Sequence, residues 1–482
     1  MIKKILFTLL CCSACIFLFT SCGETKRNYQ ECEHISNEIW SYRDDVHWQE
    51  CVRCRKKINE GLHDFSESEY YCLICDMTTD SIILPMYKLS EDGLYYYVNG
   101  IRDCTVGNSG SPQITDMKII SMHNGLPVKT VALDSSKITN LVIENGVLEI
   151  AGINCNSLKS ITIPLSIKTI YDSAFNGCKN LESVYYEGTI EDWCNISFAP
   201  SSVFYSDEEK TNPMYYAKHF YIKNSTNEWE ELTSIEAPNN IKKIQEHIFN
   251  GFNSVTSISI PNSVTSIDLY SFRGCDNLIS ITLPLVVDPY YTRFNFGMLF
   301  ENSVPKSLKE VKINGGNSIV DNTFSDCSSL TSVEIANSIK SIGLSAFSNC
   351  SGLTSITIPE SVTSIGNNAF SRCNNLIDLR IPSSLTSIGE DFIYGCDSLK
   401  YNEYDNGLYL GNDDNPYLLF VKTKNTLVNS VTIHSNAKFI YQSAFSGCSN
   451  LTSITIPKNV TSIGSSAFSG CNRLSNVNYE GT

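Results

Sequence analysis

Between Ile138 and Thr482 the chain repeats itself about every 23 residues, and no other feature constrains its fold as much. Residues 353–373 read LTSITIPESVTSIGNNAFSRC, and residues 451–471 read LTSITIPKNVTSIGSSAFSGC. A fixed period of this size means one supersecondary unit stacked on its neighbours, because a single unit cannot bury its own apolar face. The expected fold is therefore a mainly β solenoid. Such a body offers a long surface and no obvious cleft, which favours binding over catalysis.

The physics of one coil follows from its apolar positions, Leu353, Ile356, Ile358, Val362, Ile365 and Phe370. The alternation at Ile356 and Ile358 predicts a short strand with both side chains inward. Pro359 ends that strand by removing a ladder donor. Val362 and Ile365 begin the return path as a second short strand, and Gly366 turns the chain. Ala369 and Phe370 are expected on a 3₁₀ or short helical turn, with the ring plugging the core. Each buried large apolar side chain contributes roughly 1.5–3 kcal/mol. Six per coil fall short of the ordering entropy of about 23 residues, so an isolated coil should not fold.

Cysteines occupy a fixed place in the repeat, at Cys155, Cys178, Cys275, Cys327, Cys350, Cys373, Cys396, Cys448 and Cys471. One coil carries Phe252 there instead. A ring can replace a packed thiol, but it cannot replace a metal ligand or half a disulfide. The column therefore reads as buried, unpaired small hydrophobes, with pairing of a minority left open.

The recurring Leu-Thr-Ser-Ile-Thr-Ile-Pro, Val-Thr-Ser-Ile-Gly, Ala-Phe and Cys positions resemble the leucine-rich repeat of bacterial BspA-like surface proteins. The resemblance covers residues 138–482 and implies a right-handed leucine-rich repeat coil displayed outside the cell. It also implies adhesion to host matrix proteins or to other bacteria. No motif in this chain carries that activity, so function does not follow from the fold alone.

The N-terminal part is different. Lys3 and Lys4 precede an apolar stretch from Ile5 to Phe19, the pattern of an export signal over residues 1–21. Phe19-Thr-Ser-Cys22 resembles a bacterial lipoprotein lipobox, which implies lipidation of Cys22 and a tether over residues 22–30. Two or more acyl chains would anchor the protein stably in a membrane. Residues 31–80 form a Cys-rich module in which Cys51-Val-Arg-Cys54 and Cys72-Leu-Ile-Cys75 stand 17 residues apart. That spacing suits a structural zinc ribbon. An oxidising compartment favours disulfides instead, and the two readings stay open. So short a segment needs one staple or the other. Residues 81–137 read as a β-rich cap over the first coil.

Three insertions break the period, near 185–231, 286–307 and 400–427. The last contains apolar runs on both sides of an Asn/Asp turn between Gly407 and Val421, which predicts a hairpin. Insertions in solenoids either form loops on a binding face or patch irregular coils. The chain stops at Val477-Asn-Tyr-Glu-Gly-Thr482, near the wording of Val184-Tyr-Tyr-Glu-Gly-Thr189. An open last coil there would expose an edge and invite self-association.

The net charge of −15, with no basic run beyond the first residues, argues against nucleic acid as a partner. No phosphate loop, nucleophile elbow or His-Glu-x-x-His helix is present. Asp413 and Asp414 lack the spacing of a calcium loop and read as a polar turn. Outward strand positions are mostly Ser and Thr. The exceptions are Glu310, Lys312, Glu334, Asp378 and Arg380, in the middle coils. These five are the candidate partner-binding residues, because hot spots favour arginine at central positions. The sequence thus describes a lipid-anchored protein of the bacterial surface or outer membrane that binds an extracellular or host protein without catalysis. The competing reading is a structural or scaffolding component of the envelope.

Overall fold

The computed structural model describes residues 115–482, except 124–125, 136, 200–211, 287–294, 302 and 482. It also describes the strands Ser36–Arg43, Val46–Cys51, Lys57–Leu62, Tyr87–Lys88, Tyr95–Val98 and Cys104–Gly107. The repeat is a β-solenoid. Each regular coil gives a front strand, such as Ser355–Thr357, and a two-residue rear strand, such as Ser364–Ile365. Front strands pair in parallel and in register, so Ile356 lies beside Leu379 and Val311 beside Val333. Rear strands do the same, carrying Ile319, Ile342, Ile365 and Ile388 in one row. The 23-residue period thus places like side chains on like.

The third side of the coil departs from expectation. The Ala-Phe segment forms turns, not a 3₁₀ or short helical turn. Asn368 (φ 55°) and Arg372 (φ 61°) are left-handed on either side of Phe370. The amides of Asn368, Phe370 and Arg372 donate to Glu390 O, Phe392 O and Tyr394 O of the next coil, at 2.9, 2.7 and 2.6 Å. The amides of Ser345, Phe347 and Asn349 donate in the same way to Asn367 O, Ala369 O and Ser371 O. A helix would satisfy these groups internally. Here the neighbouring coil supplies the partners, so this side also binds coil to coil.

The phenylalanines form a column inside it. Phe324, Phe347 and Phe370 stack at 5.2 Å between ring centres, within 8° of parallel. The cysteine column lies beside it, buried and unpaired in all the coils except that of Cys471, which is half-buried. The thiol of Cys350 donates to Phe324 O at 3.1 Å, that of Cys373 to Phe347 O at 3.1 Å, and that of Cys396 to Phe370 O at 3.0 Å. Each of these three thiols is therefore a short apolar filler and a donor to the coil before it.

The insertions rebuild the column. The first contributes the capped helix Ile190–Cys194 and the strand Ser197–Ala199, which joins the rear sheet beside Thr169–Tyr171. Its strand His219–Lys223 then takes the next front position beside Ser183–Tyr186, and Trp229–Glu231 folds back antiparallel to close this block. The next front strand, Ser234–Glu236, starts a second sheet that runs to Asp378–Arg380. Trp193 is fully buried at the break, and its indole N–H donates to Ile248 O at 2.9 Å. Phe220 packs 4.8 Å from Phe252, which explains why an aromatic ring replaces the thiol there. In the second insertion Phe296 and Phe300 fill the gap between Phe272 and Phe324. In the third, Gly407–Leu410 and Leu419–Thr423 form the expected hairpin, and Phe420 stacks on Phe445 at 4.6 Å. Core residues consequently run in one apolar cluster from Met117 to Phe439, followed by a second from Tyr409 to Ala467.

Candidate interaction surface

The front sheet is the face on which the charged candidates converge. Glu310 and Lys312 lie on strand Glu310–Gly315, Glu334 on Ser332–Ile335, and Asp378 and Arg380 on Asp378–Arg380. Strand alternation sends Val311, Val333 and Leu379 into the core, and with them sends the charged side chains outward. The register pairs Lys312 with Glu334, and their side chains form an ion pair at 2.7 Å. Arg380 stands across from Thr357 and bonds Asp378 at 3.3 Å and Asp413 at 2.5 Å. The structure therefore brings the five candidates onto one face. Four of them form the couples Lys312–Glu334 and Asp378–Arg380, with strand Ser355–Thr357 between the couples, and Glu310 stands at the start of the strand that carries Lys312. Two carboxylates around one guanidinium raise the Arg380 pKa further, so it stays charged.

Sequence reasoning missed the third member of this group. Asp413 is 33 residues from Arg380 and reads locally as a turn residue. It is in a turn, but that turn is docked. Asn412 Oδ1 accepts the amides of Asp414 and Asn415 at 3.1 and 2.7 Å. Its Nδ2 donates to Glu360 Oε1 at 2.9 Å and to Ser383 Oγ at 3.1 Å. The amide of Ile381 donates to Gly411 O at 3.0 Å. The hairpin tip thus continues the front face beyond Arg380. The hairpin carries Tyr417, and the strand Asn402–Tyr404 that pairs with it carries Tyr404; their rings lie 4.1 and 4.7 Å from the His434 ring. Burial lowers the pKa of His434, which favours its neutral form.

This arrangement suits recognition better than chemistry. Burial pushes the thiols of Cys155, Cys178 and Cys327 up to about 11, 12 and 12, far from a reactive thiolate. His219 and Glu231 form an exposed pair at 2.6 Å on the first block's hairpin. Among the described residues no group of three or more His, Cys, Asp or Glu is placed to hold a metal ion. Cys22, Cys54, Cys72 and Cys75 lie outside the described residues. Cys51 ends a described strand, but its side chain lies outside them too.

Comparison with known proteins gives a consistent picture. A family model described as a BspA type leucine-rich repeat region matches residues 114–211, 220–313, 297–412 and 421–482, in six copies. Among solved structures, a leucine-rich repeat protein from Bacteroides ovatus is 22% identical, with 65% of this chain and 94% of that one covered and a TM-score of 0.29. A leucine rich cell surface protein from Faecalibacterium prausnitzii is 22% identical, with 82% and 95% covered and a TM-score of 0.28. The leucine-rich repeat protein of T. pallidum is 21% identical, with 50% and 78% covered and a TM-score of 0.17. No curated protein matches.

Proposed function

This chain belongs to the BspA-type leucine-rich repeat family, and from that premise we propose that it is a cell-surface adhesion protein whose front sheet grips an extracellular protein near Arg380. A leucine-rich repeat solenoid is an interaction scaffold, which sets the general class. The observation that carries the finer reading is the Arg380–Asp413 contact, because it joins the sheet to a rigidly docked hairpin. An exposed guanidinium held in place loses little entropy on binding, and arginine is a residue type that anchors interfaces. Glu310, Lys312 and Glu334 then form a polar border on the same sheet. Cys22 would carry the lipid that holds the protein at the surface.

Surface plasmon resonance of the full chain against a panel of purified extracellular matrix proteins tests this reading. Saturable binding to one of them should weaken about tenfold or more in Arg380→Ala, the loss expected of a hot spot. An unchanged affinity would remove Arg380 from the site. Absence of saturable binding to any panel member would favour the scaffolding role.

A further inference from the structure

The front face of the first block differs from that of the other coils. Its outward register sets Val142 beside Thr162, Thr162 beside Tyr185, and Tyr185 beside Tyr221. At about 4.8 Å per strand, this makes an apolar stripe roughly 15 Å long, parallel to the solenoid axis. The rings of Tyr185 and Tyr221 stack at 4.8 Å and 13°. Trp229, on the closing antiparallel strand, packs against Tyr185 at 5.2 Å and 70°. Val142 is 38% exposed and Trp229 39% exposed.

The aromatic end of the stripe is rigid. Lys223 Nζ lies 5.1 Å over the Trp229 ring and 3.5 Å from Glu187. The turn joining the two strands is closed by Asn224, whose Oδ1 accepts the amides of Thr226 and Glu228 at 3.0 Å each. These contacts reduce the ordering cost of the groups when a ligand arrives.

Polar groups border the stripe on both sides. Two residues earlier along the strands stand Asn140, Ser160, Ser183 and His219, in one register column. Two residues later stand Glu144, Glu187 and Lys223, with Lys118 paired to Glu144 at 2.7 Å. The acids on that border are matched by lysines, and Glu231, opposite Tyr221, is bonded to His219 at 2.6 Å, so no acid beside the aromatic end is left unpartnered and a neutral ligand is favoured. It is also the face of a sheet, whose own backbone groups are already paired in the ladder. A peptide laid across it would find no backbone partners. A ligand with a flat C–H face and hydroxyls along both edges fits all three features. The electropositive C–H groups of a sugar ring meet the negative face of an aromatic ring. The hydroxyls meet fixed amide, hydroxyl and carboxylate groups.

We propose that this stripe binds a neutral, extended oligosaccharide whose pyranose C–H groups pack on the exposed part of Trp229 and along the outward edges of the stacked Tyr185 and Tyr221. The site is separate from Arg380, so either assignment can fail alone. Isothermal titration of the full chain with neutral hexasaccharides of β-1,4-glucose, β-1,4-mannose and N-acetylglucosamine tests it. One of them should bind saturably, about tenfold more weakly to Trp229→Ala and Tyr185→Ala, and normally to Trp229→Phe and Arg380→Ala. Hydrogen exchange of the unsubstituted protein gives a readout independent of any variant's folding: the sugar should slow exchange in the segment 219–231. No binding at millimolar sugar, or binding unchanged in both alanine variants with no added protection, would overturn the proposal. So would a stripe whose alanine variants lose a protein partner but leave sugar affinity unaltered.

Discussion

The coils from Ser341 to Cys396 and the stretch from Ser183 to Phe252 solve one packing problem in two ways. In the regular coils one Phe and one Cys recur at the same interior place turn after turn. At the break, Tyr186, Trp193, Phe220 and Phe252 fill the same space with larger rings that pack edge to face. Repetition therefore gives a tolerant core, whereas the break relies on a few unique side chains. The insertions are not ornaments on an intact solenoid. Where described, they supply the missing coil interior.

The largest expected effect separates these two regions. Trp193→Ala removes a buried indole and its bond to Ile248 O, and should cost about 3–5 kcal/mol. Because this side chain spans the break, denaturation should split into two transitions followed by circular dichroism. Phe347→Leu, in a regular coil, should lower stability by about 1 kcal/mol and keep a single transition. Equal behaviour of the two variants would remove the distinction.

Alkaline pH offers a second way to sharpen it. The thiols of Cys155, Cys178, Cys327 and Cys350 have folded-state pKa values above the unfolded value of about 8.5, because burial disfavours the thiolate. Above that pH the native state binds more protons than the unfolded one, so stability falls as pH rises through 9 towards 11. Below pH 8 these groups contribute no slope. Each buried thiol removes about 1.4 kcal/mol per pH unit in the falling range. Guanidinium midpoints under reducing conditions at pH 7.5 and 10 measure this. Replacing Cys327 and Cys350 by Ala should flatten the dependence, and an unaltered slope would show that the thiols do not cause it.

A smaller gain is expected at Arg372. This residue is left-handed where the next coil has Gly395 (φ 73°). Arg372→Gly should stabilise by about 1 kcal/mol, the relief of left-handed strain less the added freedom of the unfolded chain. A thermal melt checks this, and a lowered midpoint would contradict it. Smallest of all, Arg380→Ala should leave the thermal midpoint unaltered, because an exposed ion pair contributes little to stability. Its effect belongs to binding.

Much of this was legible in the chain. Spacing alone places Ile356 and Ile358 inside, predicts the hairpin around Asn412, and reads the interrupted cysteine column as packing. The turn at Ala369–Phe370 was not legible, because its left-handed residues Asn368 and Arg372 give no local signal and its hydrogen bonds go to another coil. Glycine at 395, 447 and 470 in the same column was the one available clue. The role of the insertions was left open for a similar reason. Trp193 meets Ile248 across 55 residues, and Asp413 meets Arg380 across 33, and no periodicity reports such contacts. The five charged candidates were read as outward, and they are, but the pairing of four of them into two couples depends on side-chain geometry.

Hydrogen exchange followed by mass spectrometry along the whole solenoid tests the continuity of its interior most directly. The amides of Phe249 and Gly251, bonded to Ser271 O and Arg273 O of the next coil, should be protected as strongly as those of Phe347 and Asn349. Peptides covering Trp193 and Phe220 should match them. Rapid exchange confined to 190–252, with the later coils protected, would mean that the rings at the break do not form one core with the repeats.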